Sequence, residues 1–308
     1  MSLVINHNLM AMNAQRNLSE HYGRLGVSTR RLSSGLRVGT AADDAAGLAI
    51  RELMRSEISS LHQGIRNAAD AISLIQTADG ALQVIDEKLI RMKELAMQAS
   101  TGTYNSDQRL IIDSEYQAMS SEITRIANAT DFNGIYLLNG NLSGDPGVDH
   151  DGTGLQSRGP LKIHFGTGND SSEDYYYVAI QGSTASAFGL GHTAALKNGA
   201  TWEEMNAGRS ISTQALAQTA MEAINQAIIS KDKIRANLGS MQNRLENTIT
   251  NLEIQAENLQ AAESRISDVD VAQEMTEFVR NQILTQSAVA MLAQANSLPR
   301  MAMQLIGG

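Results

Sequence analysis

Two adjacent carboxylates, Asp43 and Asp44, sit in "SSGLRVGTAADDAAGLAIRE", residues 33 to 52, with Arg37 and Arg51 on either side. Such a group could do general acid–base work or hold a metal, provided a pocket enclosed it and drove the two pKa values apart. The same residues also fit a helix start. Thr40 and Asp43 in "TAAD" have capping-box spacing ahead of an apolar run, and acidic side chains in a first turn suit the helix dipole. Nothing nearby supplies an enclosing pocket, so the spacing predicts a cap, with Arg37 and Arg51 as candidate partners of the carboxylates within the chain or between copies of it.

The other candidates for chemistry fail on spacing. His7, His21, His62, His150, His164 and His192 are scattered and form no H-E-x-x-H zinc pattern. "DHDGTG", 149 to 154, starts like a calcium loop, but the twelfth position from Asp149 is Pro160, where a bidentate Glu is needed. "GLGHTA", 189 to 194, loosely fits a dinucleotide fingerprint yet opens no βαβ unit. No G-x-S-x-G elbow occurs. No catalytic, metal or cofactor site is expected, and the chain is not read as an enzyme.

Composition narrows the remaining classes. A net charge of -9 without a Lys/Arg cluster leaves no footprint for nucleic acid. Only 4% of residues are aromatic, which favours thin layers of packed helix over a compact core. With no cysteine, disulfides and thiolate metal sites are excluded. No apolar run reaches spanning length, so no membrane insertion is expected. "MSLVINHNLMAMNAQRN" lacks the charged n-region of a cleaved signal, and Asn6, His7 and Asn8 interrupt any apolar stretch.

The elements that position these residues are long. The only prolines are Pro146, Pro160 and Pro299, so both ends can carry long helices. Eleven of the 25 glycines and six of the 12 aromatics lie in 141 to 202, which marks off an irregular, β-capable middle. Ile58, Leu61, Ile65, Ala68, Ile72 and Ile75 step by threes and fours. After one irregular step at Ala78, Leu82, Ile85, Leu89, Met92, Ala96 and Ala99 resume the seam. A helix over about 45 to 100 would span roughly 80 Å. Asn105-Ser106 reads as a new N-cap, and "DFNG", 131 to 134, as the stop of the helix that follows. Leu238, Leu245, Leu252, Leu259 and Ile266 recur every seven residues, a coiled-coil pattern. "LKIHFG" and "YYYVAI" read as a β-hairpin. The ends are charge-poor: residues 1 to 15 and 281 to 299 carry no formal charge with His7 neutral. Exposed apolar faces at both termini fit self-assembly.

With these residues in place, the chain resembles bacterial flagellin. The resemblance is densest in "INHNLMAMNAQRNL", "RRLSSGLRVGTAADDAAGLAI", "DAISLIQTADGAL", "RMKELAMQAS", "DFNGIYLLNG", "RANLGSMQNRLENTITNL", "ENLQAAESRISDVDVAQEM" and "ILTQSAVAMLAQANSLP". It implies a mainly α, elongated antiparallel helical hairpin or coiled-coil bundle with a small β-hairpin insertion. Residues 1–33 and 267–308 would form the inner D0 coiled coil, 34–46 the spoke, and 47–266 the D1 bundle. The β-hairpin and elaborated loops would occupy about 139–208, with no separate outer domain.

The function implied is a structural subunit of the extracellular flagellar filament, exported without signal cleavage by the flagellar type III apparatus. Implied partners are other copies of the chain, the cap protein, the hook–filament junction protein and a cytosolic export chaperone that binds about Ile266 to Gly308. Leu3, Ile5, Leu9, Ile283, Leu284, Val289, Leu292, Leu298, Leu305 and Ile306 are the candidate polymerisation residues. Arg91, Leu95 and Glu115 match the family's patch for Toll-like receptor 5. Arg37, Thr40, Asp43 and Asp44 are assigned to the spoke and cap. A junction protein with similar ends, a protease on the same scaffold and a coiled-coil secreted adapter or effector are the competing readings.

Overall fold

The computed structural model describes residues 8–143, 159–170, 173–196, 201–202 and 206–306. It is mainly α, as expected. Five long helices run over Leu9–Ser34 (α1), Ala45–Ser100 (α2), Ser106–Ala129 (α3), Gln214–Ser267 (α4) and Val271–Ile306 (α5). Four short strands lie between α3 and α4: Asp131–Phe132 (β1), Ile135–Tyr136 (β2), Leu161–His164 (β3) and Tyr175–Val178 (β4). The chain divides into two compact units, Met1–Ser59 with Ala256–Gly308, and Ser60–Gln255. The sequence had suggested junctions at residues 46 and 266. "DHDGTG" lies outside the described residues.

The apolar seam of α2 is the spine of the second unit. Leu61, Ala68, Ile75, Ala78, Leu82, Ile85, Leu89, Met92, Ala96 and Ala99 are all buried. The irregular step at Ala78 leaves the helix unbroken. There Ala71 and Leu74 are buried as well, which carries the contact stripe across the slip. Leu238 and Leu245 of α4 enter the same core, each large side chain contributing about 1.5–3 kcal/mol by leaving water. Two charged ties fix the antiparallel register of α2 and α4. Arg235 grips the Asp79 carboxylate from Nε and a terminal nitrogen at 2.7 and 3.2 Å. Lys231, only 2% exposed, holds Asp86 at 2.6 Å and Asp232 at 2.7 Å.

Asn105 caps α3 in a full capping box with Gln108. The stop at "DFNG" is also a structure in its own right. Asn133 (φ 52°) and Gly134 (φ 81°) take the left-handed conformations of a tight two-residue turn, and β1 pairs with β2 across it. The expected hairpin of β3 and β4 is antiparallel, with Leu161 opposite Val178 and His164 opposite Tyr175. It seats on α2 at Gly64, where a Cβ would collide with the Phe165 carbonyl. Asn67 of α2 donates to the His164 carbonyl at 2.8 Å. Arg244 of α4 stacks 3.6 Å over the Tyr176 ring.

The described residues of 189–211 fold onto one face of α3. Asp113 accepts from the Ile211 amide at 2.7 Å and the Ser210 hydroxyl at 3.0 Å. Gln117 donates to the Arg209 carbonyl and accepts from the His192 amide. The buried Tyr116 hydroxyl donates to the Gly208 carbonyl at 2.7 Å. Burial, with Asp113 nearby, pushes its pKa far upward, so it stays a neutral donor. Leu190 and Ile211 then join the core.

Candidate assembly and recognition surfaces

The loop of residues 35 to 44 is built from backbone and carboxylate hydrogen bonds. Gly35 ends α1 in the left-handed conformation, φ 73°. The next residues then lie against the α4–α5 turn. The Arg37 amide donates to the Ser267 carbonyl at 2.6 Å, its guanidinium to the Ile266 carbonyl at 2.7 Å, and the Val269 amide returns to Gly35 at 3.0 Å.

The Asp pair divides its work, and the sequence reading needs correcting in two respects. First, the helix begins at Ala45 with Asp44 as its cap, accepting from the Gly47 amide at 2.9 Å. Thr40 and Asp43 instead close a turn just before it. The Thr40 amide and hydroxyl both donate to Asp43 Oδ2, at 3.0 and 2.8 Å. Second, the cation beside Asp43 is Arg30 of α1, at 2.9 Å. Arg37 binds carbonyls, while Arg51 donates to the Val38 carbonyl and pairs with Glu52. The Thr40 hydroxyl, with Arg30 behind it, holds the Asp43 carboxyl below the usual range. Both carboxylates are consumed by the fold. Among the described residues no group of three or more His, Asp or Glu side chains could hold a metal ion.

The terminal helices show the more informative geometry. α1 and α5 pack antiparallel, since Asn8 donates to the Ala295 carbonyl at 2.7 Å and Arg31 pairs with Glu274 at 3.6 Å. The residues turned inward follow a heptad on each helix. On α1 they are Ala11, Ala14, Leu18, His21, Leu25, Ser28 and Leu32, with Val27 half-buried beside them; on α5, Glu274, Phe278, Asn281, Thr285, Ala288, Leu292 and Ala295. This seam mixes small and polar side chains with Leu18, Leu25, Leu32, Phe278 and Leu292. Asn281 and Thr285 are buried, and the Thr285 hydroxyl satisfies itself on the Asn281 carbonyl.

Other large apolar side chains face outward. Leu9 is 64% exposed, Ile283 57% and Val289 50%, with Leu284, Val271, Met275 and Val279 also exposed. Of the candidate polymerisation residues, Leu9, Ile283, Leu284 and Val289 are exposed, while Leu292 is half-buried in the seam. Leu3 and Ile5 fall outside the described residues, as do the side chains of Leu298, Leu305 and Ile306. Sequence reasoning missed the seam itself, although the 3–4 spacing of small residues from Asn281 to Ala295 signals it.

On the second unit, Arg91 bridges α2 and α3. It donates to Glu115 at 2.7 and 3.0 Å and to Glu94 at 3.0 Å, and these carboxylates raise its pKa. Arg91 and Glu115 therefore form one exposed charged group. Leu95 does not belong to it. Its side chain is 1% exposed and packs in the core beside Ala96, so it supports the surface from beneath.

Residues 5–143 match the family model for the bacterial flagellin N-terminal helical region, and residues 221–306 that for the C-terminal helical region. A flagellin of Halalkalibacterium halodurans is 41% identical over 99% of this chain and 100% of its own length. The chain belongs to the bacterial flagellins. The flagellin of Bacillus subtilis is also 41% identical, over 98% of this chain and 99% of its own. A crystal structure of Bacillus cereus flagellin aligns with 64% of this chain and 94% of that one, at 28% identity and a TM-score of 0.45. As a flagellin, the chain is a structural subunit that polymerises into the extracellular flagellar filament for swimming motility. No described helix is long and apolar enough to cross a membrane.

Proposed function

We propose that this flagellin polymerises through the outward faces of α1 and α5. The observation that carries this reading is that the pair leaves Leu9, Ile283 and Val289 outside, while its inner seam mixes small and polar groups with a few leucines and Phe278. A helix pair meant to remain alone in water would turn those side chains inward. Residues 1–33 and 267–308 are then the inner D0 domain, 34–46 the spoke, and 47–266 the D1 bundle, with no separate outer domain. The protein has no turnover of its own. It is secreted without signal cleavage, delivered by a cytosolic chaperone on the C-terminal segment, seated beneath the cap protein, and joined to the hook through the junction protein.

Removing residues 1–33 and 267–308 tests this assignment. The remaining bundle should keep its helical circular dichroism and cooperative melt but form no filaments under the electron microscope. Unaltered filament formation would refute the interface.

The soluble subunit is also read as a ligand of Toll-like receptor 5 through Arg91 and Glu115. The support is the matching residue types and their pairing across two rigid helices. Arg91→Ala with Glu115→Ala should lower reporter signalling while leaving the melt nearly unchanged, because exposed pairs contribute little to stability. Undiminished signalling would remove these residues from the receptor surface.

A further inference from the structure

The terminal helices are not only apolar on their outward faces; they are rich in one apolar side chain. Met10 (49% exposed), Met12 (62%), Met275 (44%), Met291 (60%) and Met301 (46%) all project from α1 and α5. In the second unit the pattern reverses. Met92 is fully buried, and Met119, Met221 and Met241 pack against the core; Met97 of α2 is exposed.

We propose that the exposed methionines of the terminal helices, Met10, Met12, Met275, Met291 and Met301 among the described residues, are oxidation sites that reversibly switch off the assembly competence of the free subunit. The proposal rests on the reading of these faces as the polymerisation surface. Attack of a thioether sulfur on hydrogen peroxide breaks the O–O bond. Sulfur gains one oxygen and loses two electrons, and the peroxide leaves as water. The product, methionine sulfoxide, is polar and carries a strong hydrogen-bond acceptor. At a contact meant to bury leucine, isoleucine and valine, that oxygen loses water and gains no donor. None of the five belongs to the inward heptads of α1 and α5, so the folded subunit survives the modification. Assembly covers these sulfurs, so the same groups are vulnerable before polymerisation and shielded after it. With no cysteine in the chain, sulfur redox chemistry falls on methionine alone.

The experiment treats full-length monomer and preformed filaments with hydrogen peroxide and maps sulfoxides by mass spectrometry. Met10, Met12, Met275, Met291 and Met301 should oxidise readily in monomer and slowly in filaments, with Met92 protected in both. Oxidised monomer should keep its far-ultraviolet circular dichroism yet lose filament formation, and methionine sulfoxide reductases acting on both epimers should restore it. A variant with leucine at all five positions, retaining Met97, should polymerise normally after peroxide. Equal polymerisation of wild-type monomer carrying the five sulfoxides overturns the proposal, as does equal oxidation in monomer and filament. If the leucine variant assembles poorly, reductase rescue of wild type still decides. Wild-type filaments that form normally but resist the switch sink only this inference. Terminal-helix truncations that still assemble sink the underlying reading as well.

Discussion

Replacing Asp44 by alanine removes the acceptor for the Gly47 amide at the first turn of α2, and loss of such a cap costs about 1 kcal/mol. Asp43→Ala breaks a different set of bonds, those to Thr40 and Arg30. It should loosen the turn between α1 and α2 while leaving the α2 start capped. Thermal unfolding of the two variants, with proteolysis of the 35–44 loop, separates the roles: Asp44→Ala should lower the melting temperature, and Asp43→Ala should mainly expose the loop. The sequence placed both carboxylates in structural rather than catalytic work but shifted the cap by four residues. Thr40 and Asp43 have box spacing, and only the backbone path decides which acceptor meets a free amide. The burial of Leu95 could not be read from spacing for a related reason. Spacing from Arg91 puts the two on neighbouring turns of α2, whereas burial depends on how α3 leans over that face.

At the scale of elements, α2 and α4 are held by a core and by charges. Arg235 depresses the Asp79 carboxyl pKa through a direct hydrogen bond, opposed by partial burial. A carboxylate with a lowered folded pKa stabilises fully above its ordinary value, here 3.8. That contribution disappears as pH falls through the lower folded value. Melting temperature should therefore fall as pH drops below about 4, and Asp79→Asn should be less stable at neutral pH with a flatter acid limb. An equally steep limb in the variant would remove Asp79 from the acid response. The seams of α2 and α4, the break before α3 and the hairpin of β3 and β4 were legible because periodicity and turn residues are local. The placement of residues 189–211 was not. It depends on Asp113, Tyr116 and Gln117 meeting a loop about 75 to 98 positions away, and no local pattern encodes such a meeting.

At the scale of the molecule, the two units are stabilised differently. The second is rich in fully buried Leu, Ile and Ala, whereas α1 and α5 share a narrow seam in which small and polar groups alternate with a few half-buried Leu and Phe side chains. Amide exchange in the free subunit should be fast along α1 and α5 and slow along the core stretches of α2 and α4. Protection of the terminal helices should rise on polymerisation. Slow exchange of α1 and α5 in the monomer would mean that their seam is stronger than its composition indicates.

That weak seam also bears on how the chain responds to force. The two terminal helices, α1 and α5, belong to the same loosely held unit. A pull applied along α1 or α5 should thus meet the least resistant segment first. Separating α1 from α5 uncovers only a few large apolar side chains, Leu18, Leu25, Leu32, Phe278 and Leu292, far fewer than the buried core of the second unit holds. The charged ties and leucine core of α2 and α4 are strained only once the pull has a firm hold.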